Sequence, residues 1–367
     1  MKIVHDYMIQ MGGAERVVAL MADTFREAPL YTSATEYETL FPEFQGREVV
    51  NTWMQRISGI ERCFKKLFPL YPFAFKGLGK IDADIVWLSS SGFAKWTEFT
   101  KNTPVFCYCH TPPRFFWQPD SYLPLEVPNR VLQSVVRALL PVFRKSDYKA
   151  AQKMTHFIAN SRAVQQRIKE FYHRDSMVIN PPVNVKRFEV SSRTDDYFLI
   201  VSRLVGYKSL DRAIVGFSKL GKRLVVAGNG PDEARLRSLA GPTVEFRGRV
   251  SDDEVTKLMQ NCYALVFPGL EDFGITPVEA MACGKPVLAF GGGGALETVV
   301  AGKSGLFFYE PTAESLAATI SEFERQTWIP SEIRQVAERF SEEIFLDKMI
   351  GYMEQKTGLD LSRQRQL

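Results

Sequence analysis

Histidine is scarce in this chain, at four among 367 residues, and the five cysteines are scattered and odd in number. Cys63, Cys107, Cys109, Cys262 and Cys283 show no metal-ligand spacing. Neither a metal centre nor a disulfide framework is expected, and the thiols read as reduced and structural. No run approaches the roughly 18 consecutive apolar residues of a membrane helix. Lys2, His5 and Asp6 interrupt any signal-peptide pattern at the start, so the protein is expected in the cytoplasm. A Gly-x-Gly-x-x-Gly fingerprint is absent, which disfavours NAD. The formal charge of +4 is too small to imply nucleic acid. It remains compatible with anionic small molecules or a negatively charged membrane surface.

What is present is ordinary for a globular protein: 45% hydrophobic and 24% charged residues. The length suits two domains of about 150 to 200 residues each. Short apolar runs at 2–7, 84–88, 105–109 and 156–159 read as strands of the first half. Those at 197–201, 224–227, 244–246, 264–267 and 305–308 read as strands of the second. Helical patterns separate them. Gly12-Gly13 opens one helix, a long one is expected over 127–154 with a break or kink at Pro141, and Asn160-Ser161 caps another that ends near Tyr172. Residues 180–185, Asn-Pro-Pro-Val-Asn-Val, form a stiff linker. The tail over 313–355 is mainly helical, with Pro330 between helices, and 359–367 should fray. This alternation argues for an α/β protein of two doubly wound domains facing each other across a cleft.

The most informative stretch runs from Glu271 to Val287 and continues into Gly291–Gly294. A strand is followed by a loop and a short helix, for which Thr276 is a natural N-cap and Pro277 suits the first position. Free amides at Gly274, Ile275 and Thr276, with the positive end of the helix dipole, would hold an anionic oxygen cluster such as a diphosphate. Glu271 and Glu279 flank that place. Thr276-x-x-Glu279 also fits a capping box, in which the carboxylate only bonds back to the N-cap amide. Upstream, Arg203 and Lys208 straddle a strand-to-helix turn. A planar fork and a compact charge together suit a diphosphate, although a solvated surface pair has the same spacing. In the first half, His110 ends a strand and is held by Pro112-Pro113, where open α/β sheets place their ligands. His156 and His173 have no evident catalytic partner and read as structural.

Two carboxylates around a Phe-Gly turn, the paired bases, the glycine run and the His-Thr-Pro-Pro-Arg element at 110–114 together resemble retaining glycosyltransferase family 4, whose enzymes have the two-domain GT-B architecture of paired Rossmann-like domains. The resemblance covers nearly the whole chain. It implies an acceptor-binding domain over 1–180, with a helix at about 342–358 crossing back onto it, and a nucleotide-sugar domain over 181–341. It implies that Glu271 holds donor-sugar hydroxyls, Glu279 the ribose, and the amides of Phe273, Gly274, Ile275 and Thr276 the diphosphate. Main chain from Arg247 to Val250 would border the base, and Gly12 and Gly13 would approach the donor phosphates, with Glu15 and Arg16 within reach. His110 would lie near the anomeric carbon, and Arg114, Phe115, Phe116 and Trp117 would line the acceptor side. His110, Arg203, Lys208 and Glu271 are then the expected catalytic residues. No cofactor or metal is expected beyond the nucleotide diphosphate sugar itself. The departing diphosphate would take the acceptor's proton in a same-face attack while the bases stabilise it.

The opening His-Asp-Tyr, Gly-Gly-Ala-Glu-Arg and the Asn-Ser-Arg helix start look most like bacterial mannosyltransferases that build O-antigen or exopolysaccharide on polyprenyl diphosphate lipids. GDP-mannose is therefore the first donor; UDP-sugars and a nucleotide-rhamnose stay open, as do a sugar-nucleotide epimerase and a non-catalytic binder. Residues 53–80 interleave aromatics with Arg56, Arg62, Lys65, Lys66, Lys76 and Lys80 against the single acid Glu61. Such a stretch either rests on an anionic leaflet, at the inner face of the plasma membrane, or packs its aromatic side on the domain and solvates its lysines.

Overall fold

The computed structural model describes all residues except 11, 40, 41, 45, 121, 122, 124–128, 311 and 363–367. The expected start of the long helix at Val127 and the last part of the expected frayed tail therefore lie outside the described residues. The chain divides into two units, Met1–Asn180 with Phe345–Leu367, and Pro181–Ile344. Among the described residues no helix is long and apolar enough to cross a membrane.

The strands of the first unit are β1 (Lys2–His5), β2 (Leu30–Thr32), β3 (Val49–Asn51), β4 (Lys80–Ile81), β5 (Val86–Ser90), β6 (Glu98–Phe99), β7 (Val105–Cys109), β8 (His156–Ala159) and β9 (Ser176–Val178). Seven of them form a parallel sheet in the order β3-β2-β1-β5-β7-β8-β9, and β4 pairs with β6 apart from it. The order reverses between β1 and β5. Because side chains alternate across a strand, Val4, Leu88, Cys107 and Phe157 face one core while Ile3, Trp87, Phe106 and Ile158 face another. The second core is completed from the far end of the sequence. Phe345, Leu346, Met349 and Met353 of helix Glu342–Thr357 pack into it.

The second unit contains β10 (Phe198–Val201), β11 (Leu224–Ala227), β12 (Val244–Gly248), β13 (Ala264–Phe267), β14 (Val287–Phe290) and β15 (Gly305–Phe308). They form one parallel sheet in the order β12-β11-β10-β13-β14-β15. Here the reversal falls between β10 and β13. Open α/β sheets bind ligands outside the carboxyl ends of their strands at such reversals, which directs attention to two loop pairs, one in each unit.

In the first unit two expectations are resolved and one further feature emerges. The break expected at Pro141 is absent, because helix Arg130–Ala151 runs continuously through it. Residues 53–80 fold into short helical pieces. Tyr71 and Phe75 are buried and Phe64, Leu67 and Phe68 pack against the core, leaving Trp53 and Phe73 as the large exposed aromatics there. A buried ion pair, invisible in the sequence, ties the unit together. Lys95 Nζ lies 3.4 Å from Asp147 Oδ1, with neither side chain exposed, and donates to the Gly92 carbonyl at 2.7 Å. Asp147 Oδ2 accepts from Trp117 Nε1 at 2.8 Å and from the Tyr172 hydroxyl at 2.7 Å.

Candidate functional site

In the second unit, the loop leaving β10 carries Arg203 and Lys208. It is stitched to the turn after β11: the Ser202 amide donates to the Ala227 carbonyl at 3.0 Å and the Leu204 amide to the Asn229 carbonyl at 2.9 Å. A Cβ on Gly228 would stand 1.9 Å from the Ser202 oxygen, and one on Gly230 would stand 2.2 Å from the Leu204 oxygen. Glycine is required at both places because backbone meets backbone there. Arg203 is exposed. Lys208 reaches across the reversal, and its Nζ pairs with Glu271 Oε1, from the loop after β13. Both side chains keep about a fifth of their surface open, at 17% and 21%, so the pair is accessible to a ligand.

Glu271 leads into helix Ile275–Ala282, and here the structure corrects the sequence reading. The N-cap is Gly274, at φ 89°, not Thr276, so Pro277 sits third in the helix rather than first. The positive φ is the reason, since glycine enters that region without strain. A capping box at Thr276 is thereby excluded, and Glu279 lies in the second turn, half-buried. Phe273 is buried against Phe340, so it can offer a ligand only its main chain. Ile275 and Thr276 begin the helix and are half-buried. The glycine run packs onto this loop: the Gly294 amide donates to the Glu271 carbonyl at 2.9 Å, and a Cβ on Gly294 would fall 2.1 Å from Phe273 Cα. Those glycines therefore set the Glu271 loop in place. Arg247 sits on β12, where its exposed side chain pairs with Glu245 at 2.7 Å, and Val250 follows in the next turn.

In the first unit, His110 follows β7. Its amide donates to the Ser90 carbonyl at 3.0 Å and its Nε2 lies 2.8 Å from Ser89 Oγ. Ser89 Oγ is 3.0 Å from His5 Nδ1, which is also 3.2 Å from the Ser89 carbonyl. A carbonyl only accepts, so His5 Nδ1 carries hydrogen. Ser89 Oγ then accepts from His5 and shares a second hydrogen bond with His110 Nε2. Beyond His5, Nε2 faces Glu15 Oε1 at 3.7 Å, and Glu15 Oε2 accepts the Gly12 amide at 2.9 Å. His5, Ser89 and Glu15 are at most 2% exposed. Glu15, expected within reach of a ligand, instead points inward, closing the helix start where Gly12 is the N-cap and Gly13 the first residue. Arg16 is exposed. The sequence reading missed His5 and Ser89. Their signal was a polar residue closing an otherwise apolar strand, in Lys-Ile-Val-His and in Val-Trp-Leu-Ser-Ser.

Of the residues expected on the acceptor side, Phe116 is 1% exposed and stacks on Phe143, while Trp117 is held by Asp147 and stacks on Phe171. Both belong to the packing. Arg114 and Phe115 instead line a cavity of about 550 Å³ within this unit. An Asp-x-Asp triplet does occur, Asp82-Ala83-Asp84, but it precedes β5 at the wrong end of the strand for a ligand. Among the described residues no cluster of three or more His, Cys, Asp or Glu could hold a metal ion.

Two family models match. "Glycosyltransferase Family 4" covers residues 11–187 and "Glycosyl transferases group 1" covers residues 184–343. The chain is 24% identical over 374 residues to the alpha-1,3/1,6-mannosyltransferase ALG2 of Dictyostelium discoideum, spanning 84% of this chain and 85% of that one. It is 28% identical over 151 residues to the O-antigen chain mannosyltransferase RfbU of Salmonella typhimurium, spanning 38% and 43%. Its fold matches that of HepE from Anabaena, solved in complex with UDP-glucose, with a TM-score of 0.71 and 19% identity over 97% of this chain and 100% of that one.

Proposed function

Because the chain belongs to glycosyltransferase family 4 and is a hexosyltransferase of the GT-B fold, we propose that it moves mannose from GDP-mannose, with retention, to a glycan carried on a polyprenyl diphosphate in the assembly of a bacterial polysaccharide. Mannosyl transfer is supported by the activities named for the Dictyostelium and Salmonella relatives. One observation carries the donor half of the reading. Lys208 and Glu271, 63 positions apart in sequence, meet at the carboxyl ends of adjacent strands where the strand order reverses.

In this reading Lys208 and Arg203 neutralise the diphosphate as charge grows on it, and Glu271 accepts hydrogen bonds from the sugar. Glu279 takes the ribose, the amides from Phe273 to Thr276 the diphosphate, and main chain over 247–250 the base. His110 serves the reacting sugar from a ring orientation already fixed by Ser89, while Arg114 and Phe115 serve the acceptor. The leaving oxygen takes the acceptor's proton on the face it departs from, and the bases replace a metal ion.

A thermal-shift panel of GDP, UDP, ADP and dTDP at equal concentration tests the donor, because a ligand that binds the folded state raises the melting temperature. GDP should give the largest shift. A larger response to UDP reassigns the donor, and no response to any nucleotide defeats the reading. A pure binder or an epimerase is separated by assay: the transferase forms a mannosylated lipid and loses that turnover in Lys208→Ala.

A further inference from the structure

Lys208 already has a counter-ion of its own, since its Nζ pairs with Glu271 Oε1. The backbone under each side chain is clamped. A Cβ on Gly269 would stand 2.8 Å from the Lys208 oxygen, and one on Gly293 would stand 2.3 Å from the Glu271 oxygen, which also accepts the Gly294 amide at 2.9 Å. Ser209, directly after Lys208, is held at φ 54° in the left-handed region, a conformation that a non-glycine residue keeps only where its surroundings over-determine it. Main chain packs on main chain beside both residues, so the part of the pair able to rearrange is its side chains.

A diphosphate that arrives here meets two cations and one carboxylate. Arg203 is exposed, whereas Lys208 reaches the anion only in competition with Glu271. Like charges brought close together repel even at a partly wetted site. That opposition is relieved when the carboxylate has hydroxyl groups to accept from, as a hexose on the diphosphate supplies. A nucleoside diphosphate that has lost its sugar offers no such relief. It is also the more strongly charged ligand, because its terminal phosphate is a monoester whose second ionisation falls near neutral pH.

We propose that Glu271 sorts ligands by whether a sugar is attached. It admits the nucleotide sugar by turning to its hydroxyls, and it returns to Lys208 once the sugar has been transferred, which weakens the hold on the nucleoside diphosphate and speeds its departure. This rests on the donor-site reading above and adds a role for the carboxylate after the chemical step. Glu271 is then a specificity-determining residue in two directions, favouring the substrate and disfavouring the product. Product release sets the turnover of many enzymes, so a site that holds its spent nucleotide less tightly than its donor gains in rate.

Calorimetric titration of the full chain with GDP and with GDP-mannose tests this in wild type and in Glu271→Gln, which is nearly isosteric and removes only the charge. Glu271→Gln should bind GDP roughly tenfold more tightly than wild type and GDP-mannose less tightly, so the preference for the sugar nucleotide narrows or reverses. A residue that merely kept Lys208 in place would weaken both ligands together when changed. Parallel losses therefore overturn the proposal, as does an unchanged affinity for GDP. Glu271→Ser should show the same gain for GDP, and a gain seen with glutamine alone overturns the proposal, since it would come from the new amide. UDP and UDP-glucose are titrated in parallel. Opposed shifts with that pair instead of the guanine pair defeat the choice of GDP-mannose and uphold the sorting role. If neither pair binds wild type or variant, the nucleotide-sugar reading itself falls and takes this role with it.

Discussion

The two places where strand order reverses are built in opposite ways. Between β1 and β5 the polar groups are sealed in: His5, Ser89 and Glu15 are buried and bonded to one another or to backbone, and only His110 at the end of the chain of contacts is half-open. Between β10 and β13 the charges of Arg203, Lys208 and Glu271 stay partly or largely exposed, on loops whose glycines let backbone pack on backbone. The first arrangement fixes the direction of one ring. The second leaves charge available to a ligand and spends its packing on the loops that hold it. Burial makes polar groups orient each other, because an unmet bond there costs more than in water. Exposure keeps them exchangeable.

The comparison can be broken from either side. The largest effect should come from the sealed unit. Lys95→Met leaves Asp147 buried without its cation, and equilibrium unfolding should show a loss of about 3–5 kcal/mol. The pH dependence has a definite sign. Burial lowers the Lys95 pKa, but Asp147 and the surrounding groups raise it more, so it stands above the ordinary lysine value of 10.5. A raised folded value means the contribution is fully present below pH 10.5 and lost as pH climbs through the folded pKa. Wild type should therefore lose stability in that alkaline range more steeply than Lys95→Met.

The open unit should behave in the reverse manner. Lys208→Ala is expected to lower kcat by about 10²–10³-fold with a stability loss well below that of Lys95→Met, because this pair keeps about a fifth of its surface in water whereas Lys95 and Asp147 keep none. A stability loss matching the activity loss would mean that the Lys208–Glu271 pair is structural. The smallest effect sharpens the comparison. Ser89→Ala removes both hydrogen bonds of the hydroxyl that links His5 to His110, so kcat should fall by roughly three- to tenfold with KM for the donor unchanged. A matching change in KM would show that the link holds the fold rather than the ring.

The alternation of strands and helices was readable because apolar runs such as Val105–Cys109 and Ala264–Phe267 are short, apolar and bounded by turn residues. Loops at the carboxyl ends of β10, β13 and β7 could be picked out for the same reason. The start of helix Ile275–Ala282 was misread because Thr276 and Pro277 are good local signals, yet the close approach of Gly274 to Phe267 decided the turn. Phe116 and Trp117 were misplaced for a related reason. Their neighbours Phe143, Phe171 and Asp147 lie far along the chain, and local pattern carries no information about them. The chain from Glu15 through His5 and Ser89 joins three separate segments and was beyond any reading by spacing.

Helix Glu342–Thr357 brings a consequence for how the protein is made. Its apolar residues Phe345, Leu346, Met349 and Met353 share a core with Ile3, Trp87 and Phe106, so the half of the polypeptide synthesised first, Met1–Asn180, cannot seal that core until the later residues up to Met353 have been translated. During that interval the second unit, Pro181–Ile344, can already fold beside an unfinished neighbour, which gives a chaperone that shields apolar surface a defined moment to act.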